Sequence, residues 1–196
     1  MKKNLLYTLL ALLLPLAGFS QFTHIGPSAA YATRVKEPGF GVYGIFRVND
    51  EIKLIPNVLY FLPHVENTEY GTIDYDWWMG NLDGNYVILN QGMIEGYGLM
   101  GLNLAGIRGK RDELIMGQPY KDKRRIQKLG LNIGAGIRLG IGERITPFGE
   151  LRYTLGSKAY FPDYSVDEVS LSQFSIYAGV LIRIAEDKDR SATEEY

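Results

Sequence analysis

Residues Leu129 to Gly140 alternate almost without error between two kinds of side chain. On an extended strand successive side chains point to opposite faces. One face therefore carries Leu129, Leu131, Ile133, Ala135, Ile137 and Leu139, and the other Gly130, Asn132, Gly134, Gly136, Arg138 and Gly140. A sheet wetted on one side fills that side with long polar side chains, because water leaves room for them. The second face here holds only small or charged groups, which suits the crowded inside of a narrow barrel. The apolar face then points outward, into lipid.

Eight segments carry this alternation, near 23–33, 39–48, 52–62, 76–88, 93–104, 128–140, 146–156 and 173–184. Each has about the 9 to 11 residues that a tilted strand needs to cross a bilayer, or slightly more. Phe174, Ile176, Ala178, Val180, Ile182 and Ile184 share one face of the last segment, and Leu151, Tyr153 and Leu155 one face of the seventh. Asp83-Gly84 is a hairpin signal. A turn there would cut the fourth segment in two, so a continuous strand is expected, with Asn81, Asp83 and Asn85 inward.

The connections at Asn49-Asp50, Asn90 to Gly92 and Gly142 to Arg144 are short, whereas longer loops are expected at 63–75, 105–127 and 157–172, all on the opposite side. Outer-membrane barrels pair short periplasmic turns with long outside loops. The pattern predicts an all-β fold, an eight-stranded antiparallel up-and-down transmembrane β-barrel with both ends in the periplasm. Tyr31, Tyr60, Tyr86 and Tyr153 fall on the outward parity and are candidates for the interfacial aromatic girdles.

The ends and the composition narrow the class further. Lys2 and Lys3, the apolar run Leu5 to Ala17 and the small residues before Gln21 predict a cleaved signal peptide over residues 1–20. That apolar run is short of the roughly 20 residues of a spanning helix. A barrel domain over 21–185 and a polar periplasmic tail over 186–196 complete the expected organisation. The absence of cysteine excludes disulfides, thiolate metal sites and a lipoprotein anchor. Without Lys2 and Lys3, 19 basic residues face 22 acidic ones, which argues against a nucleic-acid-binding protein.

With these features assembled, the chain resembles the small outer-membrane β-barrel proteins of the Bacteroidetes type, a porin-like barrel-domain family. The matching pieces are Ser20-Gln21, Gly39-Phe40-Gly41-Val42-Tyr43-Gly44, Asn81-Leu82-Asp83-Gly84-Asn85-Tyr86, Tyr97-Gly98-Leu99-Met100-Gly101-Leu102-Asn103, the glycine-rich sixth segment and Pro147-Phe148-Gly149-Glu150-Leu151-Arg152-Tyr153. The resemblance implies residence in the outer membrane of a Gram-negative bacterium. It also implies a last strand read by the barrel assembly machinery, through Tyr177, Gly179, Ile182 and Ile184. An aliphatic Ile184 stands where an aromatic is commoner.

Candidate chemistry is sparse. Inward parity places Arg47, Glu95, Arg138, Glu150, Arg152 and Arg183 inside the barrel, where charges must pair or suffer desolvation. Such a network is expected to fill an interior only wide enough for side chains; the alternative is a gate in a narrow passive channel. Arg108, Lys110, Arg111, Lys121, Lys123, Arg124 and Arg125 give the 105–127 loop a positive charge suited to the phosphates of lipopolysaccharide. The two histidines, His24 and His64, lack the nearby serine that a nucleophilic site requires. No catalytic group, cofactor or metal site is predicted. The expected role of this monomer is structural, adhesive or in envelope assembly; a lipid-modifying enzyme and a binder of small apolar molecules are the other readings.

Overall fold

The computed structural model describes residues 21–68, 71–115, 118–142, 144–160 and 168–184; the expected signal peptide and the tail at 186–196 lie outside the described residues. Strands β1 (Gln21–Ala32), β2 (Pro38–Arg47), β3 (Ile52–Thr68), β4 (Gly71–Gln91), β5 (Ile94–Ile115), β6 (Gln118–Leu139), β7 (Ile145–Gly156) and β10 (Gln173–Arg183) form a closed barrel. Each pairs antiparallel with its neighbour in the chain, and β1 pairs with both β2 and β10 to close the ring. Over the span that all eight strands share, closure leaves no open strand edge, so the ladders there are satisfied without water; beyond it, β3 after Phe61 pairs only with β4 and β6 before Gly130 only with β5. Two short strands, β8 (Lys158–Tyr160) and β9 (Glu168–Ser170), pair within the connection from β7 to β10.

The parity runs as the alternation predicts. Leu129, Leu131, Ile133 and Ile137 are exposed on the outside of β6, as are Phe174, Ile176 and Ile182 on β10 and Leu151 and Leu155 on β7. Together with Phe40, Val42, Val58, Met100 and Leu102 they form an apolar belt far beyond the few hundred Å² that a soluble monomer exposes. The inner face is short of space. A Cβ on Gly136 would lie 2.6 Å from the Tyr97 hydroxyl, and one on Gly101 would lie 2.4 Å from Asp83 Oδ1. These glycines make room for the large polar groups opposite them. Asp83-Gly84 continues through β4 without a turn, and Asn81, Asp83 and Asn85 are all buried inside.

Two expected loops are instead strand. Most of 63–75 belongs to β3 and β4, and most of 105–127 to β5 and β6, so that strands of 17 to 22 residues rise on one side of a barrel whose other strands have 10 to 12. At about 3.4 Å per residue, the extra ten or so residues extend the tall side by roughly 30 Å along the strand direction. The ladder is sustained there by Tyr75, Trp77, Ala105 and Ile107, which still belong to a buried apolar cluster on the inner side. The opposite end keeps tight turns, in which Gly92 and Gly142 take φ values of +59° and +67°. Both described chain ends, Gln21 and Ile184, lie at this short-turn end.

Candidate functional site

From its centre to the tall side the interior is filled by three kinds of packing. At its centre the side chain of Arg152, 1 % exposed, meets two carboxylates: Nη1 lies 2.9 Å from Asp83 Oδ2 and Nη2 lies 2.8 Å from Glu150 Oε2. One cation faces two buried anions, so neutral donors supply the balance. Tyr43 donates to Glu150 Oε2 at 2.6 Å and Tyr97 to Glu150 Oε1 at 2.8 Å. The guanidinium also lies 4.4 Å over the Tyr177 ring.

Above this cluster runs a belt of amides. Asn57, Asn81 and Asn103 occupy directly opposed positions on β3, β4 and β5. Asn81 donates to Asn57 Oδ1 and Asn103 to Asn81 Oδ1, each at 2.7 Å. From β6, Asn132 donates to Asn81 Oδ1 and Asp83 Oδ1 at 2.9 Å, and Thr154 of β7 donates to Asn132 Oδ1 at 2.8 Å. Each amide is both donor and acceptor, so the belt ties neighbouring strands to one another and hands its last donors to Asp83. Beyond it the tall side is stoppered by Phe61, Trp77, Met79, Ala105, Ile107 and Leu171.

At the short-turn end a second ion cluster forms. Glu95 accepts from Lys53 and, at 2.6 Å, from Arg138, whose guanidinium lies 3.8 Å over the Tyr97 ring. Of the six expected interior charges, Glu150 and Arg152 thus meet in the centre and Glu95 and Arg138 near the mouth. Arg47 and Arg183 line the mouth itself, Arg47 lying 3.7 Å from Asp50 in the adjacent turn. Sequence reasoning left out Lys53, Tyr43 and Tyr97 as partners. Their parity was available, but the register that brings them to these carboxylates was not. With a hydrogen-bonded centre below an apolar stopper, planar bilayers containing the refolded protein are expected to stay electrically silent. Stepwise currents would show that the packing opens.

The outer wall of the tall side carries the other candidate residues, in a strand hairpin rather than a loop. Leu104 and Leu129 stand opposite one another at the upper edge of the apolar belt. In the next outward row Trp78 lies across Gly106, where a Cβ would meet the indole Nε1 at 2.0 Å. Then Arg108 stands opposite Arg125, and Lys110 opposite Lys123. Asp76 approaches from the β4 side, 3.9 Å from Arg108 and 3.4 Å from Lys110. Arg124 is exposed on the other parity, and the side chains of Arg111 and Lys121 lie outside the described residues.

Tyr177 and Gly179 point inward on β10, the first fully buried, while Ile182 and Ile184 are exposed on the outside. His64 sits 2.8 Å from Glu37 in the β1–β2 connection, and His24 sits 2.9 Å from Thr23. A bulge in the β3–β4 register falls between Phe61 and His64. Among the described residues no three His, Asp or Glu side chains converge as metal ligands.

No protein-family model and no curated protein matches the sequence. Solved structures do match the fold. A major outer membrane protein from Thermus thermophilus is similar over 84 % of this chain and 100 % of its own, with a TM-score of 0.62 at 10 % identity. The N-terminal barrel domain of OprF from Pseudomonas aeruginosa is similar over 84 % and 99 %, with a TM-score of 0.55 at 14 % identity. Ail, the attachment invasion locus protein of Yersinia pestis, in complex with the heparin analogue sucrose octasulfate, is similar over 83 % and 97 %, with a TM-score of 0.52 at 16 % identity. The chain has the fold of the small eight-stranded transmembrane barrels.

Proposed function

We propose that the protein is a non-conducting barrel of the Gram-negative outer membrane, of the Bacteroidetes type, with a structural and adhesive role centred on the cationic outer wall of its β5–β6 hairpin. Export through a cleaved signal peptide and insertion by the barrel assembly machinery, guided by the last strand, belong to the same reading. The short-turn end then faces the periplasm and the tall side stands outside the cell.

The observation that carries the reading is the outward column above the belt. Leu104 and Leu129 suit acyl chains, Trp78 suits the interface, and Arg108, Lys110, Lys123 and Arg125 follow. Four residues separate Leu104 from Arg108, about 13 Å along the strand, which is the order of the distance from acyl chain to headgroup. Like charges directly opposite on neighbouring strands are destabilising. Asp76 answers part of the charge of Arg108 and Lys110; the rows in which Arg108 faces Arg125 and Lys110 faces Lys123 favour a further anion laid along the hairpin, and phosphate oxygens accept charge-assisted hydrogen bonds from both kinds of donor. The phosphorylated glycolipid of the outer leaflet, lipopolysaccharide, combines these chemistries. Ail, with a polysulfated sugar analogue bound, is a precedent for an anionic saccharide on this fold.

The test compares the heat-modified and folded gel bands of the refolded protein with lipopolysaccharide and with the same glycolipid after dephosphorylation. Lipopolysaccharide is expected to raise the midpoint of thermal unfolding, dephosphorylated glycolipid to raise it far less, and the double variant Arg108→Gln/Arg125→Gln to lose the difference. Equal stabilisation by both glycolipids would contradict the reading.

A further inference from the structure

A cavity of about 440 Å³ opens at the short-turn end, away from the outer wall. Turn residues Asp50, Gly92, Met93 and Gly140 form part of its lining, and Arg138 and Glu95 lie deeper inside. Four cationic side chains line it, Arg47, Lys53, Arg138 and Arg183, against the carboxylates of Asp50 and Glu95. Glu95 is engaged by both Lys53 and Arg138, and Asp50 by Arg47. Among the described lining residues two positive charges therefore exceed the carboxylates, in a space walled by a low-dielectric barrel where a potential is focused rather than screened. Arg138 is held rigidly, 5 % exposed and stacked on Tyr97, and its Nε has no hydrogen-bond partner among the described residues.

The Asp83–Glu150–Arg152 centre has one carboxylate in excess, and hydroxyl and amide donors satisfy its oxygens. The described residues of the mouth have the opposite excess, of cations, around an open space. From this we infer that the cavity is a binding site for a compact polyanion, one bearing phosphoryl or carboxylate oxygens, that enters from the periplasmic side. The volume falls within the range of small-ligand pockets, about 300 to 1,000 Å³. Arginine forks match the paired oxygens of phosphate and carboxylate alike. Arg47 and Arg183 would meet the ligand at the rim, while Arg138 and Lys53 fix the floor through Glu95. The site is independent of the outer wall, since its residues come from the opposite ends of the strands.

The experiment is calorimetric titration of the refolded mature protein in zwitterionic detergent, with pyrophosphate in one arm and citrate in the other. The rim variant Arg47→Gln/Arg183→Gln spares the buried clusters, and Arg34→Gln/Lys36→Gln in the exposed β1–β2 connection, away from both the mouth and the outer wall, serves as control. Saturable binding is expected in at least one arm, weakened tenfold or more by the rim variant and unchanged by the control variant. Pyrophosphate as the tighter ligand assigns a phosphorylated molecule; citrate assigns a polycarboxylate. The proposal is overturned if neither anion saturates at millimolar concentration, or if the rim and control variants bind equally well.

Discussion

Arg152→Leu is expected to destabilise the barrel by about 3 to 5 kcal/mol, because it leaves two buried carboxylates without their cation. Asp83 and Glu150 are both essentially unexposed, and Arg152 is the guanidinium paired with each. Neither can swing to water: Asp83 lies against Gly101, and Glu150 is held by Tyr43 and Tyr97. The loss should be reversed in large part by neutralising the stranded anions. Urea unfolding in lipid vesicles should therefore rank the triple variant Arg152→Leu/Asp83→Asn/Glu150→Gln well above Arg152→Leu alone. If the triple variant is as unstable as the single one, the damage comes from lost packing under Tyr177 and not from unpaired charge.

The second large effect tests the outside of the same wall. Ile133 is exposed between Met100 of β5 and Tyr153 of β7, near the middle of the apolar run of β6. Ile133→Arg is expected to cost about 2 to 4 kcal/mol in vesicles, as a charge carried to the bilayer midplane does. Arg125 lies on the same parity eight residues nearer the tall end, so Arg125→Leu moves an apolar group out of the belt's reach and should change stability little. Comparable costs for the two substitutions would mean that the belt does not mark the depth of the bilayer.

The parity of the barrel was legible in the residues because lipid outside and crowding inside impose opposite demands on alternate positions. Strand β6 illustrates this: Leu129, Leu131, Ile133 and Ile137 could face only lipid, and Gly134 and Gly136 mark places where neither backbone nor Tyr97 leaves room for a side chain. Strand length was less legible. Once β5 passes Leu104 its outward positions become Arg108, Lys110 and Asp112, so the apolar half of the pattern disappears while the hydrogen-bonded ladder continues. A search for lipid-facing alternation stops where the lipid stops. The partners inside were hidden for a different reason. That Lys53 should reach Glu95, or Tyr43 reach Glu150 across the barrel, depends on strand register and closure, which single-strand periodicity does not contain. The asparagine belt could have been suspected from four inward asparagines, Asn57, Asn81, Asn103 and Asn132, in four successive strands; amides are poor neighbours for lipid and good neighbours for each other.

The central claim, an apolar wall facing lipid around a packed interior, can be tested on two adjacent residues. Trp77 and Trp78 are the chain's two tryptophans. Trp77 is buried inside the barrel, while Trp78 lies outside across Gly106 at the top of the belt. Trp78→Phe leaves only the inner indole and Trp77→Phe only the outer one. Fluorescence of each variant is measured in vesicles of ordinary phospholipid and of phospholipid brominated near the head of its acyl chains. Quenching by the bromines should be strong with Trp78 alone and slight with Trp77 alone. Stronger quenching of Trp77 would mean that the inside and the outside of the barrel have been exchanged.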